Sequence, residues 1–496
     1  MTMSKRKTDR WDMVLWIGAI LTLIKSVFTE YGYDSSYHIA LSWRHINGDR
    51  MFMEMWEPHQ TSAFLMDLLL IMYRHLVPSM TGIALFLQII GAVIYSTVVI
   101  FLYRAFCLCF DRKTSSLIAL ILMVARPKGV TMIEFSNAIM MFSFLIVTSL
   151  IYLVIRERMV FCLMATLFTC LLVVVYPSTV IVFIFVLIFL FGMNRKYAWV
   201  YLSICALAGL CYLGYFTFKI GLNDFLYGVL HIVSGDSTHG AGDTFRLFQT
   251  DFDIAYFSNV LFPMLLIVGF ALRRKMDPDE LIIWKICSAI SISTFLAVML
   301  LTNQSIYTVF GYMTVGAAVS FVPISKVCRK HGGVILSLIC IIFILIRGFY
   351  VMNGYSALNG RSILKAENII REGPAIGIVA PLSTVNEMRD SIKDFDVAVM
   401  DEDSVLAVSE WMIDSIVYLY TDASIANYST IDTTTYSDQL DEYWSMYPDK
   451  TPTVIAFKSY LGEKVPEEWS YIGNLIDEGY ELSYVGKQWI FYRMKK

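Results

Sequence analysis

The stretch Tyr31–Gln60, YGYDSSYHIALSWRHINGDRMFMEMWEPHQ, follows a long apolar run, yet it carries Asp34, Arg44, Asp49, Arg50, Glu54, Glu57 and the histidines His38, His45 and His59 among many aromatic residues. The chain around it is of another kind. Of 496 residues, 57% are hydrophobic and only 16% charged, and the mean hydropathy is +0.60, a composition suited to hydrocarbon rather than water. Ionisable groups gathered between lipid-soluble segments mark a loop where helices end. Placing that loop relative to the membrane decides the fold.

Apolar runs long enough, or nearly so, to cross a bilayer of roughly 30 Å occur near 11–29, 81–103, 114–126, 137–155, 159–175, 178–193, 198–219, 256–272, 281–301, 305–325 and 333–351, which makes eleven candidate spans. A further run at 60–78, QTSAFLMDLLLIMYRHLVP, is interrupted by Asp67 and ends in Tyr73-Arg74-His75 before Pro78. Short basic loops stay cytoplasmic, and this arbitrates. With 60–78 left out, the clusters at Lys5–Arg10, Arg104–Lys113, Arg156/Arg158, Arg195/Lys196, Arg273–Lys275 and Lys326–Lys330 all fall on one side, and only Arg126/Lys128 lies opposite. The run 60–78 is therefore expected to be an amphipathic helix along the outer membrane surface, with Asp67 and Arg74 turned to water. An odd number of spans puts the N-terminus in the cytoplasm and the C-terminus outside.

Lys5, Arg6, Lys7 and Arg10 precede the first run with no small-residue cleavage site after it, so that run reads as a retained helix. The nine cysteines lie in or beside apolar segments and read as small core residues, with neither a disulfide framework nor zinc spacing beyond the close pair Cys107/Cys109. A net charge of −3 excludes a general nucleic-acid binder. After Tyr350 the composition turns polar. AIGIVAP (375–381) and TPTVIAF (451–457) look like buried strands, YELSYVGKQWIFYR (480–493) like a hairpin around Gly486, and SVLAVSEWMIDSIVYLY (404–420) has helical spacing. The expected fold class is an α-helical polytopic membrane protein of about eleven spans with juxtamembrane outer helices, plus a C-terminal soluble α/β domain. Its domains would be 1–351, with an outer loop at 30–79, and an extracytoplasmic 352–496.

On this topology the loop 31–60 lies outside. So do Arg126, Lys128 and Glu134, Tyr176–Thr179, the 220–255 loop and Asn303/Gln304. The ionisable groups that topology leaves unexplained thus meet on one face, where a site for a lipid-borne polar substrate belongs.

The segment YDSSYHIALSWRHINGDRMFMEMWEPHQTSAFL, Tyr33–Leu65, resembles the first outer loop of bacterial polyprenyl-phosphate-sugar-dependent glycosyltransferases of the GT-C superfamily, which includes the protein O-mannosyltransferases and the lipid A aminoarabinose transferase. An acidic residue after the first span, an aromatic-rich helix, Asn-Gly, an apolar patch and a proline-histidine turn occur here as Asp34, Asn47-Gly48 and Pro58-His59. The segment Ser415–Phe457 is similar to the C-terminal part of some bacterial members. There are departures. Asp34 is followed by Ser35 and Ser36 where many relatives have a second acid, and the late-loop Arg-Tyr is replaced in TNQSIYTVFGY by Gln304 and Tyr307.

The resemblance implies an inverting glycosyltransferase in the cell membrane, moving a sugar from a polyprenyl-phosphate-linked donor to a surface glycan, lipid or protein. Such a reaction needs a base for the acceptor hydroxyl and stabilisation of a departing phosphate. Asp34 and Glu134 are the candidate catalytic carboxylates; His59, Arg126, Lys128, Glu57 and Tyr307 are the candidate substrate-binding residues. Each has a plainer reading as well: Asp34 as a helix N-cap, Glu134 as a charge at a helix N-terminus, Arg126 and Lys128 as cations reaching for headgroups, His59 as a structural histidine. His38 and His45 read as packing or polar-network residues, and the patch around Trp43, Phe52 and Trp56 as a sugar-stacking surface or, by default, an interfacial aromatic belt. His231, His239 and Asp243 sit in a glycine-rich stretch that reads as a substrate loop rather than a metal site, and the sequon Asn303-Gln304-Ser305 abuts a span. No cofactor is expected besides the donor lipid, and a divalent ion stays open. A flippase of lipid-linked sugars and a non-catalytic scaffold of surface-polymer assembly are the alternatives; the first is disfavoured because no internal repeat or mid-span charge is evident.

Overall fold

The computed structural model describes residues 9–29, 32–57, 59–125, 132–236, 258–300, 306–327, 334, 338, 366–409, 414–430, 437–458 and 470–495. In chain order its helices begin with α1 (Arg10–Val27), α2 (Tyr33–Ile46), α3 (Ala63–Leu76), α4 (Ile83–Phe106), α5 (Arg112–Val124) and α6 (Phe135–Arg156). There follow α7 (Met159–Val175), α8 (Val180–Met193), α9 (Arg195–Ile220), α10 (Leu222–Asp236), α11 (Leu261–Ala271) and α12 (Pro278–Leu300). The last are α13 (Ile306–Phe310), α14 (Thr314–Val319), α15 (Phe321–Val327), α16 (Leu382–Ala398), α17 (Ser437–Met446) and α18 (Ser470–Gly479). The strands are β1 (Ser404–Val408), β2 (Ser424–Ile425), β3 (Val454–Lys458), β4 (Tyr480–Val485) and β5 (Trp489–Met494).

Two compact units result. One comprises Met1–Thr29, Gln88–Gly214 and His239–Leu358; the other comprises Glu30–Leu87, Tyr215–Thr238 and Asn359–Lys496. The partition drawn from the sequence, at residue 351, runs differently, because it leaves 30–79 with the spans.

The first unit is a helical membrane body. Among the described residues four helices are long and apolar enough to cross a membrane: α4, α6, α9 and residues Pro278–Met299 of α12. The apolar runs at 159–175, 178–193 and 256–272 form helices of fewer than 18 residues, and the run 333–351 lies outside the described residues except for 334 and 338. The polytopic class therefore holds, while the count of eleven stays an expectation. Burial separates centre from rim: 78% of the apolar window of α6 is buried against 11% for α9, so α9 presents an apolar surface that only lipid covers at low cost. Trp16, Ile17, Ile20, Leu21 and Ile24 of α1 are exposed in the same way.

Small residues let these helices approach. A Cβ on Gly18 of α1 would lie 2.4 Å from Leu120 Cδ2 of α5, and one on Gly316 of α14 would lie 2.9 Å from Ser288 Cα of α12. Hydroxyls supply polar links in the absence of water. Ser291 Oγ accepts the Gly316 N–H at 2.8 Å, and Ser143 and Thr294 pair at 3.3 Å. At the other end of the α1–α5 pair, Asp9 caps α1 and Arg112 Nη1 donates to Asp12 Oδ2 at 3.1 Å.

In the second unit, α2 and α3 lie side by side and run the same way, as the pairs His38–Ser62, Ser42–Asp67 and Asn47–Arg74 show. Asp67 does not face water as expected. It is buried, accepting from Ser42 Oγ at 2.6 Å and meeting His45 Nδ1 at 2.6 Å; a carboxylate facing a neighbouring polar helix needs no solvent. Arg74 is exposed and stacks on Trp43. Leu68, Ile71, Met72 and Leu76 give α3 an exposed apolar face.

The sheet has the order β2-β1-β3-β5-β4, with β1 parallel to β2 and β3, and β5 antiparallel to β3 and β4. TPTVIAF contains β3 up to Phe457, and the hairpin expected around Gly486 is β4–β5. AIGIVAP is instead a turn segment with a single bridge, Ile369–Val379. Just before it, the Gly373 and Pro374 carbonyls accept the Gly82 and Ala84 N–H groups at the start of α4, both at 3.1 Å, so the chain entering this segment caps a helix.

Residues 404–420 are not one helix: they open with β1, buried at every position. Leu406 and Val408 enter the core on one face of the sheet and Val405 and Ala407 the core on the other. A strand covered on both faces reads as a continuous apolar run and loses the alternation that identifies strands.

Candidate active site

Asp34 is the second residue of α2. Gly32 is the N-cap, with an extended backbone and its carbonyl accepting the Ser35 and Ser36 N–H groups at 2.9 and 3.2 Å. The capping role considered for Asp34 thus falls to glycine, and the carboxylate stands half-buried in the first turn, where the helix dipole favours a negative charge. Ser35 and Ser36 behind it are fully buried. One turn further along, His38 is buried and its Nε2 meets Ser62 Oγ at 2.7 Å.

The chain leaves α2 at Asn47-Gly48, where Gly48 takes a positive φ of 111° that a side chain would resist. It then folds around Arg44. This guanidinium is buried and donates through Nε to Asp49 Oδ2 at 2.7 Å, through Nη1 to Glu57 Oε1 at 3.1 Å and to the Tyr428 carbonyl at 3.2 Å, and through Nη2 to the Glu54 carbonyl at 2.6 Å. Lys450 Nζ donates to the other oxygen of Asp49 at 2.5 Å, and Thr430 Oγ1 to Glu57 Oε2 at 3.1 Å. Burial works to lower the pKa of Arg44, but Asp49, Tyr443 and Glu57 outweigh it and hold the guanidinium charged above its ordinary value. Burial works to raise Asp49; Arg44 and Lys450 prevail and hold it below the usual range. For Glu57, wholly buried, desolvation wins and pushes the carboxyl up, against Arg44, Thr430 and Tyr37.

The aromatic residues expected at a membrane interface are core instead. Phe52 packs edge-on against Phe216 and Phe225, and a Cβ on Gly228 of α10 would strike the Phe52 carbonyl oxygen at 2.1 Å. Trp56 stacks on Tyr428 in the core beneath the sheet, and Trp43 is buried against α3 and under Arg74. With this anchorage the chain reaches His59, whose backbone is left-handed at φ 65°. His59 opens the short 3-10 turn Gln60–Ser62, and Gln60 Oε1 accepts the Phe52 N–H at 2.8 Å. A non-glycine residue in this region stores strain that surrounding contacts must hold.

Glu134 belongs to the first unit. It is buried at the N-cap of α6 without a side-chain capping bond, beside Phe135 stacked on Tyr176. Arg126, Lys128, Gln304, His239 and Asp243 lie outside the described residues, as does Pro58. Tyr307 is in α13, and His231 in α10. The structure thus brings Asp34, Glu57 and His59 into one unit. It adds Arg44, Tyr428, Thr430, Tyr443 and Lys450, whose joint role no local pattern reveals, since the chain separation from Arg44 to Tyr428 is 384 residues.

No family model matches the sequence, and no curated protein matches it. Among solved structures, the archaeal oligosaccharyltransferase AglB from Archaeoglobus fulgidus, in complex with an inhibitory peptide and a dolichol-phosphate, matches at a TM-score of 0.50 and 12% identity, over 99% of this chain and 75% of that one. The chain is similar in fold to this oligosaccharyltransferase. The same archaeal protein in its apo form gives 0.49 and 12%, over 91% and 70% of the two chains. Its complex with Zn and sulfate gives 0.48 and 13%, over 90% and 68%. At such identity the likeness to AglB is one of fold, and residue roles rest on this chain's own geometry. Among the described residues no three His, Cys, Asp or Glu side chains gather as a metal site requires.

Proposed function

We propose that this membrane protein is a glycosyltransferase that takes a sugar from a polyprenyl-phosphate-linked donor at the outer membrane face and attaches it to a surface glycan, lipid or protein. The oligosaccharyltransferase-like fold along 99% of the chain carries the reading; that archaeal structure itself holds a dolichol-phosphate and a peptide. The resemblance of Tyr33–Leu65 to the first outer loop of the GT-C superfamily supports it from the sequence side.

Asp34 accepts the proton of the acceptor hydroxyl as its oxygen attacks the anomeric carbon. The bond from that carbon to the donor phosphate breaks on the opposite side, inverting the configuration, and the phosphate leaves with added negative charge. Arg126, Lys128 and His59 meet that charge, and Tyr307 adds a hydroxyl. Glu134 is the second carboxylate, orienting the acceptor. Glu57, with its oxygens held by Arg44 and Thr430, serves the site by shaping the loop that ends in His59. The N-terminus is cytoplasmic, and the sheet-bearing C-terminal part lies outside and contributes to acceptor binding.

The test is Asp34→Asn, which keeps size and removes the base. Mass spectrometry of surface glycans and of lipid-linked sugars, in cells with the wild-type chain, the variant or neither, should show product lost by about a hundredfold or more and donor accumulating, at unchanged protein level. Product at the wild-type level would remove the proposed chemistry and favour a flippase or scaffold.

A further inference from the structure

The polar chain Lys450–Asp49–Arg44–Glu57–Thr430 sets three residues of the 44–57 stretch between two residues from near the C-terminus, and each link is a buried or part-buried hydrogen bond of 2.5–3.1 Å. One backbone carbonyl closes it: Tyr428 accepts from Arg44 at 3.2 Å and from the Trp56 N–H at 3.2 Å. Tyr443 adds its hydroxyl to the Glu54 carbonyl at 2.9 Å.

This fastening ends two residues before His59. A left-handed histidine is held only by what surrounds it. On its C-terminal side that is the turn Gln60–Ser62, tied by Gln60 to Phe52 and by Ser62 to His38. On its N-terminal side it is Glu57, whose carboxylate is held by Arg44, by the hydroxyl and backbone of Thr430 and by Tyr37. Were the clamp only a stabilising feature, an apolar cluster would serve as well, because a desolvated ion pair costs about as much as it returns. Its directional bonds fix the orientation of one turn.

We propose that the C-terminal segment Tyr428–Thr430, acting through Glu57 and Arg44, is the positioning element for the turn that carries His59. The sheet-bearing part of the chain then sets the geometry of the transfer site in addition to any contact with the acceptor. This rests on the sugar-transfer reading for its consequence in activity, while the mechanical claim stands by itself.

Thr430→Val removes the hydroxyl and preserves the shape; Thr430→Ser restores the hydroxyl. Both are made in the full-length protein, purified in one detergent and also expressed in cells. Hydrogen exchange of peptides covering 50–62 should quicken at least severalfold in Thr430→Val and return to the wild-type rate in Thr430→Ser, with exchange in the 480–494 hairpin unchanged in both. Surface product per folded protein should drop about tenfold in the valine variant and recover in the serine variant. Unaltered exchange at 50–62 in Thr430→Val, or a serine variant that behaves like the valine one, overturns the positioning role. If Asp34→Asn leaves product intact, the sugar-transfer reading fails, and the exchange comparison still decides the clamp. If exchange quickens but product in Thr430→Val equals the wild type, the clamp has no bearing on the site and the proposal fails with the reading intact.

Discussion

A carboxylate withdrawn from water needs replacement donors, and Asp403 has a full set. Arg493 Nη1 and Nη2 donate to its two oxygens at 2.8 and 2.9 Å, the Met400 N–H donates at 2.8 Å, and Thr453 Oγ1 at 2.9 Å. Burial works to raise its pKa, yet these donors outweigh it and hold the carboxyl below the ordinary 3.8. A depressed folded-state pKa gives stability that is complete above the unfolded value and is lost as pH falls through the folded one. Asp49 has the same sign; Glu57, pushed up by burial, has the opposite one and favours the folded chain toward acid. Asp403→Asn should therefore destabilise the full chain by about 2–3 kcal/mol at neutral pH, the scale of a lost charge-assisted bond. Thermal midpoints of wild type and variant in one detergent, from pH 7 down to 3, should converge below 3.8. A gap that stays constant through that range would mean the ionised form of Asp403 contributes nothing.

At the scale of elements, legibility followed the number of faces an element buries and the distance to its partners. The long apolar runs of α4, α6, α9 and α12 announce helices because lipid and protein both accept apolar residues all round, and β4–β5 announces itself by its turn at Gly486. β1 is obscured because both of its faces are covered. Asp34 and His59 stand out through the loop's resemblance to a family, but the buried clamp that holds the loop depends on Thr430 and Lys450, beyond the reach of any periodicity. Asp67 is hidden for a similar reason: an aspartate in an apolar run suggests a solvent face, whereas its partners are on α2. That seam is open to test. Asp67→Ala would leave Ser42 and His45 without their acceptor and should cost about 1–3 kcal/mol, with Asp67→Asn retaining part of the loss. Equal unfolding midpoints for Asp67→Ala and wild type are the result a water-facing aspartate would give, and would contradict the α2–α3 packing.

Sidedness belongs to the whole molecule, because each basic cluster fixes the topology only together with the others. Arg104–Lys113, Arg156/Arg158, Arg195/Lys196 and Arg273–Lys275 fall on the same side as Lys5–Arg10 only if 60–78 does not cross. In the structure, α3 is a 14-residue helix, Ala63–Leu76, too short for a bilayer core of about 30 Å at 1.5 Å per residue, and its Asp67 is tied to α2. Its exposed Leu68, Ile71, Met72 and Leu76 suit a helix lying in the membrane surface. The arrangement predicts a labelling pattern. In intact cells, a membrane-impermeant maleimide should react with Ser79→Cys and Asp401→Cys, both at exposed positions after α3 and before β1. It should leave Arg158→Cys and Lys196→Cys, equally exposed in the two basic turns, unmodified until the membrane is opened, with the unsubstituted chain as the control for native thiols. Protection at 79 together with labelling at 158 and 196 would invert the bundle. Asp34 would then face the cytoplasm, on the side away from the proposed outer-face donor, and the sugar-transfer reading would lose its substrate along with its sidedness.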